Sequence, residues 1–458
     1  MSHSLTSYLH ENRDRFEQEL AEFLEIPSVS TESRYSKEVE RCAKWLARHI
    51  EDAGVKTVEV IPTDGKPFVV AEHIVNPDLP TLLVYGHYDV QPVDPEELWD
   101  SPPFEATVRD GKVFARGSND DKGQVHMHIK ALEARLRTGL GMPVNVKLVI
   151  EGEEEIGSVH LESFLRENSQ RLACDAVVIS DTGMLGPDLP SIGIGLRGLA
   201  YMEILVEGPS GDLHSGSYGG AVTNPALALA EILASLKDEN GSVTIPGFYE
   251  RVREITPEQH AATVALPFDE EEFRLETGSV SLNGEKGFST LERLWYRPAL
   301  DVNGMISGFT GEGAKTVLPA KARAKVSMRL VPDQDPDEIA ELFTKHVMSL
   351  VPEGVRVHVE ALHGGWPWAA NPDSAVFDAA AAALQEPFGR EPVYVGEGGS
   401  IPIVPLFEEI FKGPVLLLGF APPGGNAHAP NEWMDLSVYH RGIETIARLY
   451  DEVARRGV

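Results

Sequence analysis

The chain has 458 residues, of which 42% are hydrophobic, enough apolar material for two or three packed domains and too much for a disordered chain. Its 71 acidic and 40 basic residues give a formal net charge of −31 at pH 7, which repels phosphate backbones and anionic membrane surfaces. We therefore expect no nucleic-acid partner and no membrane partner. The longest apolar runs, such as residues 414–421, fall far short of the roughly 20 residues that cross a bilayer, and the polar start lacks a signal-peptide pattern. These features predict a soluble, cytoplasmic protein.

The first and last parts of the chain have the pattern of an α/β domain. Apolar residues at helical spacing within residues 9–53 predict two helices. Four later runs are apolar at successive positions, which is typical of strands buried on both faces of a largely parallel sheet. These runs are residues 81–85, 144–150, 176–179 and 415–418. Helical periodicity is seen again at residues 124–136 and 435–453.

The middle of the chain has a different pattern. In residues 200–207 and 324–330 the apolar side chains fall mostly on every second position, which predicts an antiparallel sheet covered on one face. Helical segments that could cover that face are residues 225–236 and 336–350. We therefore predict an α+β domain over residues 196–368, inserted into an α/β domain formed by residues 1–195 and 369–458.

Acidic and histidine side chains follow the carboxyl ends of the predicted buried strands. Because the carboxyl ends of parallel strands meet at one edge of a sheet, these side chains should converge in one crevice. The group consists of His87 and Asp89 after the first strand, Glu154 and Glu155 after the second, Asp181 after the third and His428 after the last, with Asp120 in a turn before a predicted helix.

The side-chain types in this group suit a divalent metal centre. Imidazole nitrogens and carboxylate oxygens are ligands of Zn²⁺ and Mn²⁺, and the lack of a nearby cysteine argues against a purely structural zinc site. With three carboxylates as ligands, two divalent cations and one bound hydroxide make a neutral centre, so charge balance favours two metals. Each member also has an ordinary explanation, such as a loop histidine for His87 or a helix cap for Asp120. Their joint occurrence at strand ends favours the metal centre.

Five segments resemble, in the same order, the motifs of the di-zinc exopeptidases, which include aminoacylases, glutamate carboxypeptidases, and the cytosolic non-specific and carnosine dipeptidases. The segments are residues 86–92, 116–123, 151–158, 212–220 and 398–402. The resemblance is greatest to the dipeptidase branch. It implies a zinc-exopeptidase-like α/β/α catalytic domain with a mostly parallel sheet, and an inserted α+β domain that acts as lid and dimerisation domain.

The resemblance also implies a ligand set for two metal ions. His87 and Asp181 would bind one ion, and Glu155 and His428 the other. Asp120 would bridge the two ions and be followed by a non-proline cis peptide bond. Zn²⁺ is the expected metal, although the same ligands accept Mn²⁺ or Co²⁺.

Catalytic roles follow from the same resemblance. Glu154 is expected to be the general base for a hydroxide held between the metals, and Asp89 the partner that orients His87. His214 is expected to reach into the active site of the other subunit of a homodimer and stabilise the oxyanion. Arg329 is expected to clamp the C-terminal carboxylate of the substrate. Further expected substrate contacts are Asn303, Thr316, Gly399 and Ser400.

The predicted function is therefore that of a metal-dependent dipeptidase acting on small peptides. One alternative is an amidohydrolase of the same family that acts on N-acyl or N-succinyl amino acids. Another is a non-catalytic metal-binding relative, against which the presence of both Glu154 and His214 argues. The chain departs from the dipeptidase branch at Asn303 and at Gly396, where that branch usually has arginine, so cleavage of carnosine-like peptides is left open.

Overall fold

The structure is a computed structural model that describes residues 3–399 and 401–458. The chain divides into two compact units. Unit 1 comprises Met1–Ile194, Ala370–Val395 and Leu406–Val458, and unit 2 comprises Gly195–Ala369 and Gly396–Pro405. Among the described residues, no helix combines the length and the apolar character needed to span a membrane.

The first part of the chain contains five helices and eight strands, within its described residues. The helices are α1 His3–Glu11, α2 Arg13–Leu24, α3 Ser36–Ala53, α4 Lys122–Arg137 and α5 Leu161–Glu167. The strands are β1 Thr57–Ile61, β2 Phe68–His73, β3 Thr81–His87, β4 Thr107–Arg109, β5 Lys112–Phe114, β6 Asn145–Glu151, β7 Ala176–Ile179 and β8 Ser191–Leu196.

The middle and last parts of the chain continue this numbering. The middle part contains β9 Gly198–Glu207, β10 Leu213–His214, α6 Ser215–Tyr218, α7 Pro225–Ser235, α8 Pro257–Val264, α9 Glu270–Glu276, α10 Thr290–Trp295, β11 Ala299–Ser307, β12 Val317–Leu318, β13 Lys321–Leu330, α11 Pro336–Ser349, β14 Arg356–Gly365 and β15 Trp368–Ala369. The last part contains α12 Ala375–Phe388, β16 Val393–Glu397, α13 Ile403–Phe411, β17 Val415–Leu417, β18 Trp433–Asp435 and α14 Leu436–Arg456.

Unit 1 is built around one sheet in which the strand order β1-β2-β6-β3-β7-β17-β8 can be followed. The four central strands are parallel, in agreement with the apolar runs that predicted them. Alternate side chains of β3 enter different layers. Leu82 and Val84 belong to the core formed with α2, α3, α4, α12 and α14. On the other face the ring of Tyr85 packs edge-on against Phe407 of α13, with ring centroids 5.1 Å apart. The layers are therefore α/β/α, as predicted.

Unit 2 contains a four-stranded antiparallel sheet in the order β11-β13-β9-β14. Every second residue of β9 is buried, and these side chains form a core with α7 and α11. The opposite face of β13 carries polar side chains such as Lys325 and Arg329. The alternating pattern thus gave the correct sheet type for the inserted region.

The structure differs from the sequence-based expectations in two respects. The predicted domain boundaries placed residues 396–405 in the α/β domain, whereas they belong to unit 2. The α/β domain also begins with three helices, because α1 precedes the two that the pattern predicted.

Candidate metal centre and active site

Three parallel strands bring the predicted ligands to one edge of the unit 1 sheet. His87 is the last residue of β3 and lies in register with Glu151, the last residue of β6. A 3₁₀ turn at Glu154–Ile156 follows β6, and Asp181 lies two residues beyond β7. The strands are buried and paired in the sheet, so these side chains start from defined backbone positions at the carboxyl edge of the sheet.

The first group of potential ligands is His87, Asp120 and Asp181, whose ligand atoms all lie within 4.8 Å of one another. His87 Nε2 is 3.0 Å from Asp120 Oδ1 and 3.7 Å from Asp181 Oδ2. The other ring nitrogen, Nδ1, is 3.0 Å from the backbone oxygen of Asp89. When Nδ1 donates a hydrogen bond to this backbone oxygen, the lone pair of Nε2 is available to bind a metal ion.

The second group is Asp120, Glu155 and His428. His428 Nε2 is 2.9 Å from Asp120 Oδ2 and 3.2 Å from Glu155 Oε2. Asp120 therefore directs one carboxylate oxygen to each group, as a bridging ligand must. The peptide bond between Asp120 and Asp121 is cis, as the resemblance implied. Two nitrogen and oxygen donor sets joined by one shared aspartate fit a pair of divalent cations.

The acidic surroundings favour positive charge at both groups. Hydrogen bonds to Asp120 and Glu155 raise the pKa of His428 to about 10. Burial disfavours the charged form of His87, but its carboxylate partners outweigh burial and raise the His87 pKa well above its usual range. Burial raises the pKa of Asp181 to about 6. Divalent cations would take the place of the protons that these two imidazoles bind.

Asp89 connects the first group to the turn that carries Glu154. Its side chain is fully buried, and its two oxygens accept hydrogen bonds from the backbone nitrogens of Glu154 and Glu155, each at 3.2 Å. The Oδ1 atom is also 3.5 Å from His87 Nδ1. Burial raises the pKa of Glu154 well above its usual value. The arrangement holds a carboxyl group of raised proton affinity next to a ligand, which is the property required of a general base.

Sequence reasoning missed three side chains that support this site. Asp121 accepts a hydrogen bond from the backbone nitrogen of His87 at 3.2 Å, and Gln91 donates to Glu155 Oε2 at 2.7 Å. Both lie inside motifs that resemble the exopeptidase family, so the motifs could have indicated them. The third, Glu432, is fully buried and accepts hydrogen bonds from the turn that contains Asp120. The sequence near Glu432 indicates this role only by its acidic side chain directly before β18.

In unit 2, Arg329 lies on the polar face of β13. Its cross-strand partner is Leu199 of β9, so Arg197, two residues earlier, is a diagonal neighbour on the same side of the chain. Burial and, to a smaller extent, the nearby charge of Arg329 lower the pKa of Arg197 to about 10. Burial also lowers the pKa of Arg329, although the negative charge of Asp301 acts in the opposite direction. Two partly desolvated guanidinium groups favour an anion such as a carboxylate.

The remaining predicted substrate contacts also lie in unit 2. His214 and Thr316 are brought together because β10 pairs with β12, where His214 lies opposite Val317. The backbone nitrogen of Gly216 donates to His214 Nδ1 at 3.1 Å, so the proton of the neutral imidazole is on Nε2. Asn303 is exposed at a bulge in β11, and the Gly399 oxygen accepts from the Arg197 backbone nitrogen. The predicted contact Ser400 lies outside the described residues.

The absence of a side chain at Gly396 has a packing reason. A Cβ atom at this position would lie 2.6 Å from the Cβ of Trp295, which is itself buried. The indole occupies the space where the arginine usual in the dipeptidase branch would begin. Glycine at position 396 therefore leaves the space that the side chain of Trp295 fills.

A further acid and histidine group in unit 1 is an ion-pair network. His49 and His126 approach to 3.1 Å between their Nε2 atoms, near Glu19. The ammonium group of Lys130 is bonded to Glu19 and, at 2.8 Å, to Glu133, so a cation already occupies the acidic part of the group. We assign no metal to it.

The fold and the two joined ligand groups are those of a metal-dependent hydrolase, and comparison with known proteins agrees. The model of the family described as "Peptidase family M20/M25/M40" matches residues 83–452, and the chain belongs to this family. The resemblance to di-zinc exopeptidases is thereby confirmed, together with the predicted fold.

Three similar proteins match this chain over more than nine tenths of their own length. "Cys-Gly metallodipeptidase dug1" of Schizosaccharomyces pombe is 34% identical over 98% of both chains. "Beta-Ala-His dipeptidase" of Homo sapiens is 32% identical over 98% of this chain and 92% of its own length. The solved structure of the dipeptidase Dug1p from Saccharomyces cerevisiae superposes with a TM-score of 0.86 at 33% identity and covers 100% of both chains. These three proteins are named dipeptidases, the branch of the family that the sequence motifs indicated.

Proposed function

We propose that this chain is a metal-dependent dipeptidase that hydrolyses short peptides with a free C-terminal carboxylate. The observation that carries the proposal is that Asp120 joins two groups of potential metal ligands. It is supported by relatives matched over nearly their whole length, which are named Cys-Gly metallodipeptidase and Beta-Ala-His dipeptidase. Location in the cytoplasm stays a prediction from the sequence.

The proposed metals are two divalent cations, with Zn²⁺ preferred and Mn²⁺ or Co²⁺ as alternatives. His87 and Asp181 would hold one cation, Glu155 and His428 the other, and Asp120 both. When bound, such cations polarise a peptide carbonyl and lower the pKa of a water molecule.

The residues of the chain perform the proton transfers in this proposal. The Glu154 carboxylate takes a proton from the attacking water and later delivers it to the leaving amine. Its burial, which raises its proton affinity, suits both steps. Asp89 keeps the turn that carries Glu154 in place through its bonds to two backbone nitrogens. His214, with its proton on Nε2, donates a hydrogen bond to the oxyanion.

A panel of substrates before and after chelation tests this function. Free dipeptides such as Cys-Gly should be cleaved, cleavage should stop on removal of metal, and Zn²⁺ or Mn²⁺ should restore it. N-acyl and N-succinyl amino acids should be poor substrates. Faster hydrolysis of acyl amino acids than of any dipeptide would assign the chain to the amidohydrolase alternative. Binding of metal without hydrolysis of any substrate would indicate a non-catalytic relative.

Changing Arg329 to Met should lower kcat/KM for free dipeptides by about 100-fold, because charged hydrogen bonds worth about 3 kcal/mol are lost. C-amidated dipeptides lack the carboxylate and should lose little. Lys325 lies on the same face of the same strand and is exposed, so Lys325→Met is the matched control and should behave as wild type. Equal losses for free and amidated substrates in Arg329→Met would contradict the carboxylate clamp.

The homodimer and the role of His214 across its interface are proposals that one mixing experiment tests. His214→Ala alone should lose about 10²- to 10³-fold in kcat, as expected for an oxyanion donor. Mixed dimers of His214→Ala with Glu154→Gln contain one site with both residues intact if His214 acts on its partner. Random mixing should then restore about a quarter of wild-type activity. No recovery after subunit exchange would show that His214 acts within its own subunit.

A further inference from the structure

Glu432 is a fully buried carboxylate that accepts hydrogen bonds from four N–H groups. Its Oε2 atom accepts from Arg116 Nη1 at 2.7 Å and from the Gly117 nitrogen at 2.9 Å. Its Oε1 atom accepts from the nitrogens of Asn119 and Asp120 at 2.8 and 3.1 Å. One side chain therefore satisfies three backbone groups of residues 117–120, which we call the Asp120 turn, and pairs with the guanidinium before it.

Glu432 also ends the segment that carries His428. Residues 421–432, the His428 loop, are followed by β18, and the backbone nitrogen and indole of Trp433 bond back to the loop at 3.0 and 2.7 Å. The strand β18 pairs with β5, and the backbone oxygen of Glu432 accepts a hydrogen bond from the backbone nitrogen of Ala115 at 3.1 Å. The end of this loop is thus fixed from both sides.

We infer that Glu432 is a positioning residue: it holds the Asp120 turn against the His428 loop and so sets the metal affinity of the group to which both belong. The inference rests on the metal ligands assigned under the proposed function. A metal site binds tightly only when its ligands are held at the right separation before the ion arrives, and partners outside the ligand shell commonly change affinity by about 10- to 100-fold. The 2.9 Å contact of His428 with Asp120 is the separation that Glu432 would maintain.

Glu432→Gln is a sharp test because glutamine has the same length. Each carboxylate oxygen accepts two N–H groups, so the amide nitrogen of glutamine faces two donors in either orientation. We expect the dissociation constant for the more weakly held Zn²⁺ to rise by about 10- to 100-fold. The measurement is titration of the metal-stripped full chain with Zn²⁺ against a competing chelator, with thermal unfolding of the metal-free chain as the measure of folding.

Glu133→Gln is the matched control for the loss of a buried carboxylate. Glu133 is 5% exposed and accepts from Tyr8 at 2.7 Å, from Lys130 at 2.8 Å and from Arg15. It lies eleven residues along α4 from Lys122, or about 16 Å at 1.5 Å per residue, away from the Asp120 turn. This control should lower stability but leave both Zn²⁺ dissociation constants unchanged.

The double variant Arg116→Met/Glu432→Gln separates positioning from simple charge pairing, because Glu432→Gln alone leaves Arg116 as a buried unpaired cation. The double variant has no such cation, so it decides the question even if the single variant does not fold. Weak Zn²⁺ binding in the double variant supports positioning of the Asp120 turn. Wild-type Zn²⁺ affinity in either variant overturns the inference and leaves the proposed function intact, whereas a wild-type chain without tight Zn²⁺ sites overturns the proposed function itself.

Discussion

Changing Glu154 to Gln should lower kcat for dipeptide hydrolysis by about 10²- to 10⁴-fold, the usual contribution of a general base. The amide keeps the size of the side chain but cannot take a proton from water. Both metal ions should remain bound, because Glu154 belongs to neither ligand group. Steady-state kinetics and metal analysis of the same preparation measure kcat and the number of bound ions. The KM for the dipeptide should change little.

Glu162→Gln is the control for this variant. Glu162 lies on α5 in the same part of the chain, is largely exposed and pairs with Arg166 on the surface. It should retain wild-type kcat and metal content. Loss of a metal ion in Glu154→Gln would show that Glu154 is a ligand, and near wild-type turnover would remove it from the proton-transfer steps.

The strand-end residues of unit 1 could be predicted because burial on both faces leaves a signal in every position of a strand. All seven residues of β6 are buried, and the polar residues that follow such a run had to lie at the sheet edge. The same reasoning located His87 and Asp181, since β3 and β7 are parallel neighbours. Periodicity, register and the direction of the strands were sufficient for these positions.

The loop residues of the site could not be predicted from periodicity. Asp120 and His428 entered the candidate group only by their places before a predicted helix and after the last predicted strand, and their roles as ligands came from the motif resemblance. Glu432 was missed because its donors lie 312 to 316 residues earlier in the chain, and such a contact leaves no local pattern. Gly396 was noted only as a departure from the dipeptidase branch. Its reason, the indole of Trp295 in the adjacent space, became visible only in the structure.

Asp120→Asn should have the largest effect on the metal centre, because Asp120 is the only described residue shared by both ligand groups. Burial opposes its ionisation, but hydrogen bonds to His428 and His87 hold the pKa of Asp120 below its usual value, so it is available as an anion. Asparagine offers one oxygen and no charge, and it cannot bridge two cations. We expect the bound metal to fall from two ions per chain to one or none.

The loss of several kcal/mol of transition-state stabilisation that two cations provide should lower kcat/KM by at least about 10³-fold. Zn²⁺ should also raise the melting temperature of the wild type far more than that of Asp120→Asn, since ligands stabilise only the state that binds them. Asp175→Asn is the control. Asp175 precedes β7 at the opposite edge of the sheet, where its side chain accepts from the Thr81 nitrogen at 2.7 Å, and it should retain both ions. Two bound ions with unchanged affinity in Asp120→Asn would refute the bridge and, with it, the two-metal centre proposed for this chain.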